Sequence, residues 1–397
     1  MPNKIRGRPK KEIKEGDLLL QLEKKKKAKE EATKFLLRFA TRISNKGRLT
    51  MSDFKYIHHP RSNAMFDVKK YGLTWKDPLI KALREQCKKP PSIGIMSLTE
   101  LEAVSGPLPQ GGERERKLLD GMEYMTASLI YANPDYIDKI TDNYWQYDMS
   151  SAYGYQLINN PMPTTYKCTK KGRVYPNENE VCVYVDALGN ATFDFFDMNI
   201  DVIETIVYNS QYICKEFVEK WYKIKQDPEY KKLAKDIIVC SIGAIHKYRQ
   251  NLIARYVWFK QKQYIYNLVE ICEKMGCTVI KVHTDSIGYI QGDKCSTFTL
   301  GVEPDSEEGK KLGALVLEHK DTSIYLVSAG QYQIKGKKPR LSGINWGGTF
   351  IERQEGERIH WQIFPCIKKG DVIKSYEKDG VEWKTLGADI EFKKGEE

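Results

Sequence analysis

Lys281-Val282-His283-Thr284-Asp285-Ser286, inside the longer run Thr278 to Ile290, is the stretch that decides the fold of this 397-residue chain. Apolar and β-branched residues flank a two-residue Thr284-Asp285 turn, which predicts a β-hairpin with a carboxylate at its tip. Far upstream, Trp145-Gln146-Tyr147-Asp148 reads as a strand running into a turn and ending on a second carboxylate. Between them, Val202 to Lys225 reads as one helix. A second helix opens with Asp227 as its N-cap, Pro228 in the first helical position and Glu229 suited to the dipole, and runs to about Tyr248. Its stripe of Tyr230, Leu233, Ile237, Ala244, Ile245 and Tyr248 faces a core, while Lys231 and Lys235, one turn apart, project together elsewhere. A third helix, Arg255 to Met275, stops at Gly276.

Phosphoryl transfer to a sugar hydroxyl requires the charge on the attacking and leaving oxygens to be neutralised, and two divalent ions about 4 Å apart do this. Two carboxylates from separate strands are the smallest scaffold for such ions. Asp148 and Asp285 fit, each at a strand end beside small or hydroxylated neighbours, Ser150-Ser151 and Thr284 with Ser286. Hard oxygen ligands suit Mg²⁺ or Mn²⁺.

Asp148-Met149-Ser150-Ser151-Ala152-Tyr153-Gly154 resembles motif A of family B DNA polymerases, Asp-x-x-Ser-x-Tyr-Pro, and Lys281 to Ser286 resembles motif C, Tyr-x-Asp-Thr-Asp-Ser. Between them Lys235 to Gly243 keeps the Lys-to-Gly spacing of motif B, and the three stand in the family's order. Lys223, Lys231 and Lys235 resemble the triphosphate-binding lysines of the small protein-primed polymerases of phages and linear plasmids. Further on, Tyr332 with Lys335, Lys337 and Arg340-Leu341-Ser342-Gly343 is similar to the family's Lys-x-Tyr and primer-binding region. The resemblance spans about Gly121 to Gly343. Its departures are His283 in place of the first motif C Asp, Lys281 in place of the motif C Tyr, Gly154 in place of the motif A Pro, Val239 to Ile242 in motif B, and Gly330 in place of the Lys of Lys-x-Tyr.

The resemblance implies an α+β right-hand polymerase with an antiparallel palm sheet, helical-hairpin fingers and a small thumb. It implies that Asp148 and Asp285 hold two Mg²⁺ or Mn²⁺ ions, with the Met149 carbonyl completing one shell. Ser151, Tyr153, Lys223, Lys231 and Lys235 would bind the dNTP, Tyr153 packing beneath the deoxyribose and excluding a 2′-hydroxyl. Tyr332, Lys335, Lys337 and Arg340 would meet the primer-template DNA. The acceptor hydroxyl would be a nucleic-acid 3′ end or a terminal protein. The first 147 residues contain no Asp-x-Glu, the metal motif of the family's proofreading exonuclease, so proofreading is not expected. A template-independent nucleotidyltransferase or primase on the same palm, or a catalytically silent DNA-binding derivative, stays open beside this reading.

Composition agrees with a folded protein that meets polyanions. The chain is 41% apolar, has 24 Tyr and carries a formal net charge of +11. Residues 1–50 hold 16 Lys or Arg against 6 Asp or Glu, so nearly all of the excess is in a basic N-terminal arm. Within it Arg6-Gly7-Arg8 is similar to a minor-groove AT-hook, which adds Arg6 and Arg8 to the DNA contacts. No apolar run reaches the roughly 20 residues of a membrane span, and the basic start lacks the apolar core of a signal peptide. An intracellular, phage- or plasmid-encoded protein with no membrane partner is expected. Nine cysteines without a CxxC pair read as buried thiols.

The expected layout is a basic arm and helix over 1–50, a region of unassigned role over 51–120, palm with motif A over 121–199, and fingers over 200–250. Palm with motif C follows over 251–325, and thumb and primer-binding region over 326–397. The separation of Asp148 from Asp285 leaves little room for a large insertion.

Overall fold

The computed structural model describes residues 66–86, 92–122, 129–194, 201–292 and 298–341, apart from positions 138, 330, 336, 338 and 339, and the backbone of four strands between 349 and 387. The expectations for residues 1–50, Arg6 and Arg8 among them, and for the Arg340 side chain lie outside the described residues.

The described chain opens with a 3-10 turn over Val68–Tyr71, capped by the Asp67 carboxylate. Helix α1 (Pro78–Glu85) follows, with Asp77 accepting from the Leu79 and Ile80 amides and Pro78 in the first turn, where no amide is required. Ser92 caps α2 (Ile93–Ser105), which gives way to Gly106 at φ 84°. The Gly112 amide donates to Glu115 Oε2 at 2.9 Å, opening α3 (Glu113–Gly121). The described part of the region of unassigned role, residues 66–86 and 92–120, thus supplies a helical cap.

Beyond it come β1 (Ile130–Ala132), β2 (Lys139–Met149) and the short helix α4 (Ala152–Asn159). The chain then builds a separate sheet from β3 (Met162–Lys171), β4 (Glu180–Asp186), β5 (Ala191–Phe193) and β6 (Val202–Gln211), in the order β3-β6-β4-β5. Helices α5 (Lys215–Lys225) and α6 (Lys231–Ala244) follow, α6 running on into a π-turn over Ile245–Arg249. Helix α7 (Ile253–Lys274) ends where Gly276 takes φ 80°. Strands β7 (Thr278–His283), β8 (Ser286–Ile290), β9 (Leu315–Ser328), β10 (Gln331–Ile334) and β11 (Arg340–Leu341) complete the main sheet, in the order β1-β7-β8-β2-β9-β10-β11. Every pairing in it is antiparallel. The backbone strands β12 (Thr349–Glu355), β13 (Arg358–Phe364), β14 (Val372–Lys378) and β15 (Val381–Gly387) make a third sheet.

The structure bears out the α+β class, the hairpin at Asp285 and the helix up to Gly276, and corrects two helices. Val202 to Lys225 is not one helix: Val202–Gln211 is strand β6 and only Lys215–Lys225 is helical. The first half is rich in β-branched residues and Tyr, and β3 and β4 pair with its two edges, so it forms a central strand. The second helix begins at Lys231, not Asp227, because the Asp227 carboxylate accepts from the Glu229 amide at 2.9 Å and caps a turn instead. The room between the two aspartates also holds a whole four-stranded sheet over 162–211, which occupies part of the expected palm and fingers.

Helix α7 lies against β7 and β8 and buries Val257, Trp258, Ile265 and Val269, each such side chain contributing about 1.5–3 kcal/mol by leaving water. Buried Tyr147 and Tyr289 stack across β2 and β8 with centroids 6.1 Å apart and rings 3° from parallel. Gly154, in place of the expected Pro, lets α4 approach its neighbours: a Cβ there would lie 3.3 Å from both Ile238 on α6 and Val218 on α5. Among the described residues no helix is long and apolar enough to cross a membrane.

Candidate active site

Strand β2 runs through the middle of the main sheet and delivers Asp148 near its end, opposite Ser286 on β8 and Val316 on β9. The Met149 amide donates to the Asp285 carbonyl at 2.9 Å, so one backbone hydrogen bond ties together the segments that carry the two carboxylates. Each segment bends sharply beside its aspartate. Thr284 takes φ 62° and donates its amide to the Leu129 carbonyl at 2.9 Å, while the Asp285 amide reaches the His283 carbonyl at 2.7 Å. Ser151 takes φ 52°, held by Ser150 donating to the Ala314 carbonyl and Gly313 donating to the Ser150 carbonyl, both at 2.8 Å. Positive φ is uncommon outside glycine and persists where surrounding bonds impose it.

Both carboxyls are held above the ordinary carboxylate range. For Asp148 burial is the main cause, followed by the neighbouring Asp285 and Glu318, with Lys235 and Lys281 opposing. For Asp285 burial again dominates and Glu318 adds to it, while Lys235, a backbone hydrogen bond and Lys281 pull the other way. Each residue keeps a partly open face, so the pair is enclosed by protein without being sealed. Two carboxylates crowded into a poorly solvated corner are the arrangement that a divalent cation relieves, and their hard oxygens match Mg²⁺ or Mn²⁺. Among the described residues no three His, Cys, Asp or Glu side chains form a cluster able to hold a metal alone. Backbone carbonyls, phosphate and water would have to supply the other ligands, which is the habit of Mg²⁺.

The positive side of the site comes from α5 and α6. Lys235 acts on both carboxylates, and Lys231 and Lys235 both act on Lys225. Lys225 Nζ donates to Ser151 Oγ at 2.6 Å, and burial, then Lys235 and Lys231, push it down to about 8. The sequence singled out Lys223, two residues earlier and so about 200° around the helix, which is exposed. Spacing alone does not say which of the two turns inward.

Tyr153 is buried in the first turn of α4. Tyr332 lies on β10 in the main sheet, its ring 3.8 Å from the ammonium of fully buried Lys281, and exposed Lys335 and Lys337 follow. Two groups near the carboxylates were not singled out for the site from sequence. Lys281 was noted only as a departure from motif C, and Glu318 on β9 accepts from Gln146 Nε2, whose Oε1 in turn accepts from the Tyr144 hydroxyl at 2.7 Å. Their only sequence signal is polarity inside apolar strands.

No protein-family model and no curated protein matches the chain. Among solved structures it is similar to Phi29 DNA polymerase complexed with primer-template DNA and incoming nucleotide substrates, with a TM-score of 0.50 at 12% identity, covering 88% of this chain and 77% of that one. The post-translocation binary complex of Phi29 DNA polymerase matches at TM-score 0.48 and 13% identity over 64% of this chain, which spans 57% of that polymerase's length. The family B DNA polymerase of the archaeon Pyrobaculum calidifontis matches at 0.31 and 16%, over 70% and 40% of the two chains. The likeness is one of fold: the chain has a fold similar to that of Phi29 DNA polymerase.

Proposed function

We propose that this protein is a template-directed DNA polymerase that adds dNMP to a 3′-hydroxyl and releases pyrophosphate, without a proofreading exonuclease. The observation that carries the reading is the meeting of Asp148, at the end of β2, with Asp285 in the adjoining β7–β8 turn, beside Lys235 and a Lys225 on which Lys231 also acts. Bound Mg²⁺ or Mn²⁺ would neutralise charge on the attacking and leaving oxygens. Asp148 and Asp285 would hold it, ionised, at the end of the central strand. The three lysines bind the triphosphate as point charges and favour pyrophosphate as a leaving group. Ser151, tied to Lys225, positions that lysine, and Tyr153 packs below the sugar and rejects a 2′-hydroxyl. Tyr332, Lys335 and Lys337 contact the primer strand, and Arg6 and Arg8 add sequence-independent DNA affinity.

Primer extension tests this directly. Wild-type protein should extend a labelled primer only with template and with Mg²⁺ or Mn²⁺, and Asp148→Ala or Asp285→Ala should lower incorporation by at least about 10³-fold. Template-independent addition would replace this reading with a nucleotidyltransferase. Extension from a protein hydroxyl but not from a DNA end would identify a terminal-protein primer. Removal of a mismatched 3′ nucleotide would overturn the absence of proofreading. No incorporation on any primer would leave a DNA-binding derivative.

A further inference from the structure

The helical cap over residues 66–86 and 92–111 grips α5 and α6 from outside through a series of polar ties. Asp236 on α6 is buried, and its Oδ2 accepts from the Tyr71 hydroxyl at 3.0 Å and from Lys70 Nζ at 3.2 Å. One turn earlier on the same face, Lys232 Nζ donates to the Lys70 carbonyl at 2.6 Å. The Tyr230 hydroxyl donates to Asp77 Oδ2 at 3.0 Å just before α6 begins. On α5, the buried Glu100 carboxylate of α2 accepts from Lys220 and from Trp221 Nε1, the latter at 3.1 Å. Past the end of α6, Glu102 pairs with Arg249, and the Gly111 amide donates to the Arg249 carbonyl at 2.7 Å.

Helical geometry connects this grip to the site. Successive residues of an α-helix are 100° apart, so Lys232 and Asp236 each stand one step round from Lys231 and Lys235. The Lys70-Tyr71 pair therefore holds the strip of α6 adjacent to the strip that carries the two site lysines. A buried carboxylate with a hydroxyl and an ammonium on one oxygen has a narrow choice of orientation, because turning the helix would leave that charge enclosed without partners. Rotation of α6 about its axis is thereby fixed from outside the site.

We propose that Lys70 and Tyr71 are positioning residues, which through Asp236 set the rotation of α6 so that Lys235 faces the Asp148–Asp285 pair with Lys231 beside Lys225. This rests on the polymerase reading only for what the lysines bind, so one test must be independent of catalysis. Full-length wild type, Asp236→Ala, Asp236→Asn and Tyr71→Phe are treated with an amine-acylating reagent, and modification is measured by mass spectrometry. Lys235 is exposed and open to the reagent. Its labelling rate should change by at least about threefold in Asp236→Ala, with Lys274 on α7 as the unchanged reference, and Asp236→Asn, which keeps an oxygen for Tyr71, should recover most of the wild-type rate. An unchanged Lys235 rate in folded Asp236→Ala overturns the proposal. Should that variant not fold, Tyr71→Phe carries the same criterion. In primer extension Asp236→Ala should raise the nucleotide KM by about tenfold, the scale of one lost charge-assisted hydrogen bond, with kcat changed far less. Adding Lys235→Ala should then cost less than about twofold more, since both changes act through one contact, and full additivity overturns the proposal. Altered labelling with no incorporation by wild type supports the positioning and refutes the polymerase.

Discussion

Asp148→Asn should make the metal-free protein more stable near neutral pH while removing its response to divalent ions. The carboxyl stands at about 8 against an ordinary 3.8, chiefly because burial penalises its charge. A folded pKa raised above the unfolded one means that the native state holds its proton more tightly, so the stabilisation is complete in acid and is lost as pH climbs from about 4 through about 8. Between about pH 5 and pH 7.5 that loss approaches 1.4 kcal/mol per unit for one proton, or about 3 kcal/mol in all. Asp285, raised chiefly by burial to about 6, titrates inside the window in both proteins, so the comparison of wild type with variant, and not the wild-type slope, isolates Asp148. Lys225 and Lys262, pushed down by burial to about 8, change their contribution mainly above the window. Chemical denaturation of wild type and Asp148→Asn in EDTA at about pH 5 and pH 7.5 checks the figure. The variant should gain about 2–4 kcal/mol on wild type at the higher pH relative to the lower. Millimolar Mg²⁺ should restore the wild type and leave the variant unmoved. A difference between the two proteins that is the same at both pH values would refute the electrostatic account.

Other consequences are as concrete. Lys225→Ala should raise the dNTP KM about tenfold, against less than about twofold for Lys223→Ala, in steady-state incorporation. Tyr153→Ala should raise the use of rNTP relative to dNTP, measured as the ratio of kcat/KM, and unchanged discrimination would remove its sugar-sensing role. Gly288→Ala should destabilise by about 2–4 kcal/mol in urea titration: its Cβ would lie 2.2 Å from the hydroxyl of buried Tyr144, which is anchored on Gln146. Removing residues 1–20 should weaken DNA binding and flatten its dependence on salt, and an unaltered slope would make the arm a bystander.

Much of the centre of the molecule was legible before any coordinates. The hairpin at Asp285 could be read because its alternation and turn are local, and α7 because Gly276 marks its end. The union of Val202–Gln211 with α5 failed because pairing with β3 and β4 is a distant event that helical spacing does not register. Lys225 escaped because the inward face of α5 is chosen by what Trp221 and Phe217 bury, not by the distance to Lys231. Glu318 escaped because β9 meets β2 only after a long excursion of chain. The ties of the cap, such as Tyr71 to Asp236, join residues too far apart for any motif to show.

Helix α2 also limits how far this chain could be shortened. The motif-bearing region begins near Gly121, yet Leu98 and Leu101 on α2 are buried, and α2 lies against α5 and α6. A truncation at that boundary would expose Trp221 and strip Glu100 from its indole and ammonium partners. Any deletion series for crystallisation or engineering should therefore stop upstream of Phe66, because the residues that look dispensable by motif are the outer wall of α5 and α6.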